Sequence, residues 1–367
     1  MVDASVTVES VQVRRLQVPL KSPYKLSLGA VTRFDTILVR IDAPAGSGWG
    51  DATILTGYTD ETVEGAWALA RDLAARLPGM EAARARHALA GYYASAPFTA
   101  TAFATALDML EGDPALQVAE ATGVPLLATL GADGGPQLAA EIERHLAQGY
   151  RTLKMKVGFD VAQDLARVAE VQRCVGGRAQ IRIDANQGFS QAEACRFVGA
   201  VDPRDIELIE QPCAAEDWRA AEAVARVCNA PLMLDESIYD ESDIERAAAI
   251  GARYVKLKLM KLGDVRRLGN ALQRVRSLGM EPVLGNGVAT EIGCWMEACV
   301  ARHHIRNAGE MNGFLKQSVP LVQRPLRVEG GMLWLEPEPP SLDEAALARV
   351  SVEQAHFGKV PSSQGVV

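Results

Sequence analysis

The chain has 367 residues, 48% of them hydrophobic and 23% charged, the balance of a globular protein rather than a disordered or membrane-embedded one. Thirty-eight basic residues against 46 acidic ones leave a formal charge of −8, which disfavours nucleic-acid partners because these require a basic face. No apolar run approaches the roughly 18–20 residues of a membrane span, and MVDASVTVES lacks the basic-then-apolar order of a secretory leader, so a cytoplasmic protein without a membrane partner is expected.

Residues 1–123 predict an α+β unit. VTVESVQVRRLQVPL alternates like a strand with one exposed face, TRFDTILVRIDAP reads as its partner, and GWGDATI adds a third. The alanine-rich stretches ETVEGAWALARDLAARL and FTATAFATALDMLEGDPALQVAEAT read as helices. Two loops of this unit, Lys21–Gly29 with Tyr24 and Thr53–Thr59 with Tyr58, are placed to close over a site, the alternative for each tyrosine being simple packing.

Over residues 124–325 an apolar β-branched run, a polar residue at its end and a helix-like stretch recur. The runs are VPLLATL, RTLKMKV, IRIDANQ, ELIEQP, LMLDES, RYVKLKL, PVLGNG and NAGEMNG. The end residues Lys156, Asp184, Glu210, Asp235 and Lys258 follow one another at 23 to 28 residues, the length of one strand and one crossover helix. Asp160 is a candidate N-cap, and Ser190 with Glu193 forms a capping box. Eight such units suggest a closed barrel whose chemistry gathers at the C-terminal ends of its strands. An open doubly wound sheet lacks support, because no phosphate-binding glycine loop is present. In the remaining segment, 326–367, LRVEGGMLWLEPEPP reads as a hairpin around Gly330-Gly331, followed by a helix near 342–349. This segment is expected to pack back on the N-terminal unit.

The six cysteines form no C-x-x-C pair and the five histidines fall in helix-like stretches or the tail, which argues against zinc. Three acids end three consecutive strands: Asp184, Glu210 and Asp235. Neighbouring strands lie about 4.8 Å apart, so these tips can converge on one hard cation. Oxygen-only donors favour Mg²⁺, with Mn²⁺ possible in its place. Lys154 and Lys156 share one strand face, and Lys258 ends the strand on the far side of the acids. A lysine facing a barrel interior either neutralises an acid or does chemistry. Beside a cation and a second lysine its pKa is lowered, as a base at neutral pH requires.

Lys154-Met-Lys156, the strand ends Asp184, Glu210 and Asp235 with their strings DANQG, EQP and DES, and Lys258-Leu-Met-Lys261 resemble the enolase superfamily, and within it the muconate-lactonizing subgroup of the mandelate racemase/muconate lactonizing enzyme family. The resemblance implies a modified TIM-type (β/α)7β barrel with an α+β capping domain built from the N-terminal part and the C-terminal tail. It implies Mg²⁺ on Asp184, Glu210 and Asp235, holding the carboxylate of a small-molecule substrate. Lys156 and Lys258 would be acid and base on opposite faces of the α-carbon, reacting through a metal-stabilised enediolate. Lys154 would orient the carboxylate and lower the pKa of Lys156, with Asn186 and Glu236 as supports behind the ligands. The implied activity is a racemase or epimerase on an amino-acid derivative, with a cycloisomerase or β-eliminating dehydratase as the alternative; a homo-oligomer is expected. The absence of a histidine at any strand end argues against the His–Asp dyad of the mandelate racemase subgroup.

Two features depart from the pattern. Where amino-acid and dipeptide members carry an Asp-x-Asp for an ammonium group, this chain has Glu310-Met311-Asn312, which puts a dipeptide in doubt. Lys256 shares the face of Lys258 and is expected to pair with a metal-ligand acid deeper in the barrel. Asn286, between Gly285 and Gly287, either meets a polar group of the substrate or shapes the turn.

Overall fold

The structure is a computed structural model that describes residues 6–26 and 29–359, so Ser27 and Leu28 of the first loop and residues 360–367 of the tail lie outside the described residues. Strands β1 (Ser10–Leu26), β2 (Gly29–Ala43) and β3 (Gly46–Thr53) form an antiparallel meander. Its apolar face, with Val11, Val13, Ile37, Val39 and Ile41, is buried against the helices Val63–Arg76, Ala82–Ala90 and Pro97–Leu110. The last of these touches the sheet closely because β3 contributes glycines: a Cβ at Gly48 or Gly50 would stand 2.0 or 2.1 Å from the backbone oxygen of Ala106 or Ala102.

Helix Pro97–Leu110 starts after Ala96, which has no capping side chain. Glu61 substitutes from a distance: its carboxylate accepts from the Phe98 amide at 2.9 Å, the Thr99 amide at 2.8 Å and the Thr99 hydroxyl at 2.6 Å. A buried carboxylate at a helix N-terminus satisfies orphan donors and the helix dipole together. Glu61→Ala is expected to cost about 2–3 kcal/mol in urea unfolding, and a loss below about 0.5 kcal/mol would remove this capping role.

A short strand β4 (Thr122–Pro125) leads to the barrel, made of β5 (Ala128–Thr129), β6 (Thr152–Lys156), β7 (Gln180–Asp184), β8 (Ile206–Glu210), β9 (Leu232–Leu234), β10 (Tyr254–Leu257) and β11 (Glu281–Leu284). All neighbours pair in parallel in chain order. The run at 308–311 closes the ring as an irregular eighth stave. Glu310 donates its amide to Leu284 O of β11, while Gly309 exchanges bonds with Pro125 O and the Leu127 amide on the β5 side.

The inward residues form two layers. Leu208, Met233 and Val283 make a small apolar plug, beside which Arg182 is buried and paired to Glu207 at 2.8 Å. Above the plug the inward positions become Lys154, Asp184, Glu210, Asp235 and Lys256, while Leu153, Met155, Val255 and Leu257 face the helix layer. Asp160 caps Val161–Val175 by accepting from the Gln163 amide, and Ser190–Glu193 forms the capping box of Gln191–Ala200, as their sequence indicates.

The tail divides its contacts. The hairpin β12 (Arg327–Glu329) and β13 (Met332–Leu335) turns at Gly330-Gly331 but pairs with β4 rather than with the N-terminal sheet. After helix Glu344–Val350, a strand not read from the sequence, β14 (Ser351–Gly358), pairs antiparallel with β1 from Ser10↔Gly358 to Leu16↔Ser351. Among the described residues no helix is long and apolar enough to cross a membrane.

Candidate active site

The polar upper layer is one continuous ion-pair network. Lys154 Nζ lies 3.0 Å from Asp184 Oδ2, 2.9 Å from Glu210 Oε2 and 3.0 Å from Glu310 Oε2. Lys256 Nζ reaches Glu210 Oε1 at 3.0 Å and Asp235 Oδ2 at 3.4 Å, and also binds Glu310 Oε2. Lys258 contacts Asp235 Oδ1 at 2.8 Å. All of these side chains are buried to near completion except that of Lys258, which keeps 12% exposure. Burying so many charges is tolerable only because each has an opposite charge in contact.

The proton affinities follow from these contacts. Against the opposing effect of burial, Lys154 is held well above the usual lysine range by Asp184, Glu210 and Glu310. Lys258 moves the same way: burial lowers it, but Asp235 and Glu236 raise it by more. Asp235 is held well below its ordinary value by Lys258, Lys256 and Lys261, which overcome burial. Burial and the neighbouring Asp184 push Glu210 up, and Glu236 is pushed up to about 7 by burial and by Asp235.

Lys156 stands at the mouth of the barrel. It donates to Asn186 Oδ1, whose amide nitrogen donates to Glu236 Oε1 at 2.6 Å. Asn186, Gln187 and Gln211, which follow the acids at the ends of β7 and β8, all adopt positive φ. That conformation is uncommon for residues other than glycine and concentrates at functional sites. It lets the Asn186 amide donate to Asp184 Oδ1 at 2.9 Å and brings Gln211 Oε1 to the Asp235 amide at 3.0 Å.

The donor set suits a hard divalent cation. It is all oxygen, it sits on adjacent strand ends, and Glu210 Oε2 has no well-aimed hydrogen bond although an ammonium lies beside it. Glu236 Oε2 is likewise buried and unbonded. As placed, Lys154 and Lys256 stand between the acids, and among the described residues no three acidic, histidine or cysteine side chains meet in a metal-binding group.

The cap supplies the roof. Tyr24 lies with its ring centroid 5.9 Å from Lys156 Nζ, and Tyr58 is at the same distance from Lys258 Nζ. The Tyr239 hydroxyl donates to Tyr58 O, tying the loop of Tyr58 to the barrel. Both tyrosines, Asn286 and Glu310 line the cavity above the acids and lysines. At the cavity wall Asn286 accepts from the Val288 amide at 3.1 Å and donates to Met260 Sδ at 2.8 Å. Asn312 is engaged by Lys316 at 3.1 Å, and Glu310 is fully occupied at Oε2 by two lysines.

The sequence reading quoted Lys261 without a role and missed Glu297. Lys261, fully buried and pushed down to about 8 by burial, donates to Asp235 O at 2.9 Å and Ile238 O at 3.0 Å. Glu297, on the helix Glu291–His304, accepts from the Leu259 amide at 2.9 Å and so steadies the segment that carries Lys258. Burial pushes Glu297 up to about 8 and its Oε2 has no partner. In the unfolded chain this carboxyl ionises near 4.5, so the stability it contributes is full below that pH and is lost as pH rises through about 8. Glu297→Gln keeps the acceptor and removes the ionisation. The variant is expected to gain about 2 kcal/mol over the parent at pH 8–9 and nothing at pH 4; equal urea midpoints at pH 8–9 would contradict this.

Residues 8–131 match the profile of the mandelate racemase/muconate lactonizing enzyme N-terminal domain, and residues 137–340 match the enolase C-terminal domain-like profile. The L-Ala-D/L-Glu epimerase of Bacillus subtilis is 30% identical over 298 residues, covering 77% of this chain and 81% of that protein. A dipeptide epimerase from Cytophaga hutchinsonii, solved with Mg and D-Ala-L-Val, superposes with a TM-score of 0.86 at 23% identity, over 96% of this chain and 100% of that one. Muconate lactonizing enzyme from Pseudomonas fluorescens, solved with muconolactone, gives 0.84 at 25% identity, over 95% and 100%. With both halves matched and the lysine–carboxylate network on the strand ends, the chain is an enzyme that belongs to the mandelate racemase/muconate lactonizing enzyme family of the enolase superfamily.

Proposed function

We propose that this enzyme is a magnesium-dependent racemase or epimerase that removes the proton α to the carboxylate of an amino-acid derivative and returns it on the opposite face. The observation that carries the reading is the position of two lysines. Lys156 ends β6 and Lys258 follows β10, strands four staves apart in an eight-stave ring and therefore on opposite sides of the cavity. One amine removes the proton while the other, as an ammonium, delivers one to the far face.

Asp184, Glu210 and Asp235 would hold the ion, which when bound supplies positive charge at the substrate carboxylate and draws the charge of Asp235 away from Lys258. Lys154, permanently cationic, adds fixed charge beside the same carboxylate, where negative charge grows most in the transition state. Asn186 fixes Lys156, and Lys261 fixes the Asp235 main chain. Tyr24 and Tyr58 exclude water from the two amines.

A cycloisomerase or β-eliminating dehydratase on the same residues is the second reading, favoured by the likeness to muconate lactonizing enzyme. Proton NMR in D₂O separates them. Exchange of an α-proton with an unchanged skeleton supports racemisation, whereas ring formation or loss of water supports the second reading. Neither exchange nor a change of skeleton across a panel of N-acylated amino acids, dipeptides and sugar acids would reject both.

A further inference from the structure

The two tyrosines of the roof hang from different supports. Tyr24, over Lys156, belongs to the first loop, where Lys21 donates to Leu315 O at 2.8 Å and the Tyr24 ring meets Phe34 edge-on with 6.0 Å between centroids. Tyr58, over Lys258, closes the turn 55–58 by donating its amide to Leu55 O at 3.1 Å, with Gly57 at a φ of 94°. A turn closed in this way, with glycine at its third position, fixes its own backbone and moves as one piece.

Tyr239 joins that turn to the barrel. Its hydroxyl donates to Tyr58 O, and burial pushes the phenol up to about 12, so it keeps its proton and stays a donor at neutral pH. The barrel end of this tether is rigid. The Tyr239 amide donates to Asp243 Oδ2 at 2.9 Å, within the capping box of helix Glu241–Ala249. Lys261 Nζ lies 4.3 Å from the Tyr239 ring centroid and also binds Asp235 O and Ile238 O. Asp235 in turn pairs with Lys258 at 2.8 Å. These contacts form a closed circuit from Lys258 through Asp235, Lys261, Tyr239 and Tyr58 back to Lys258, and Lys156 stands outside it. Freeing the turn at Tyr58 O admits water to Lys258, which screens its attraction for the charge growing at the α-carbon. The supports of Tyr24 over Lys156 are untouched by that change.

We infer that Tyr239 is a positioning residue: by holding the Tyr58 turn over Lys258 it serves proton transfer on the Lys258 face of the substrate and not on the Lys156 face. This assignment rests on the proposed two-lysine reading, under which the enantiomer that Lys156→Ala still exchanges is the one served by Lys258. Tyr239→Phe keeps the ring beside Lys261 and removes the bond to Tyr58 O. With the Mg²⁺-loaded enzyme in D₂O, the variant is expected to lose the α-proton of that enantiomer about three- to tenfold more slowly than the parent, the range of one hydrogen bond. The other enantiomer should exchange at the parent rate. Tyr58→Ala should give the same split, and the double variant should lose no more than Tyr58→Ala alone. Equal losses from both enantiomers, no loss from either, or additive losses in the double variant would overturn the assignment. A second readout needs no turnover. Amide hydrogen exchange, read by mass spectrometry on the Mg²⁺-loaded protein without substrate, should run about three- to tenfold faster at residues 55–59 in Tyr239→Phe and be unchanged at residues 20–24. Faster amide exchange there, in an enzyme whose parent form exchanges the α-proton of neither enantiomer, would sink the proposed reaction and sustain the tether; unchanged amide exchange at 55–59 sinks the tether whatever the chemistry.

Discussion

Lys258→Ala is expected to lower racemisation by about 10³-fold, and Lys156→Ala by a similar factor, within the 10² to 10⁴ that a positioned acid or base contributes. The two variants should differ in which enantiomer they still act on. Each retains one amine, so each should exchange the α-proton of one enantiomer with D₂O without converting it to the other. Opposite enantiomers should exchange in the two variants, because the amines project from opposite staves of the ring. Proton NMR of each pure enantiomer reads this directly. Turnover within tenfold of the parent in either variant would refute the two-lysine reading, whereas loss of exchange from both enantiomers in one variant would assign the chemistry to a single base.

Lys256→Met should produce the largest loss of stability. Its ammonium is 4% exposed and serves Glu210, Asp235 and Glu310 together, so truncation leaves three buried carboxylates short of one cation. Breaking a buried pair by removing one partner costs about 3–5 kcal/mol, measurable by urea unfolding in the presence of a chelator. Glu310→Gln in the same chain removes one of the stranded charges and should recover about 1–2 kcal/mol. Additive losses in the double variant would mean that Lys256 and Glu310 are not energetically coupled, despite their contact.

Much of this site can be read before folding because a strand alternates with period two and ends at a definable place. Lys154 and Lys156 must share a face, and acids spaced by one βα unit must end neighbouring staves. The ring and its polar layer follow from that periodicity. Contacts between distant segments carry no such signal. Glu61 caps a helix 36 residues further on, and Glu297 meets Leu259 across 38, so neither stands out locally. Lys316 meets Gly287 O and Asn312 Oδ1 from one short helical turn that no apolar period announces. The raised proton affinity of Lys258 depends on Asp235 lying at 2.8 Å, a distance that spacing does not specify. β14 was illegible for a different reason: SVEQAHFG is an edge strand with neither face clearly apolar, and what makes it a strand is its partner.

That partner has a consequence for how the protein is made. Ser10 pairs with Gly358, so the outermost ribbon of the roof cannot be laid down until residue 358 has left the ribosome. The parallel staves, each bonded to its sequence neighbours, have what they need much earlier. A nascent chain stalled near residue 340 would hold a formed ring beneath an incomplete lid, with the long edge of β1 bare and open to strand addition from other molecules. Late emergence of eight residues thus sets the interval during which the newborn enzyme is most prone to self-association.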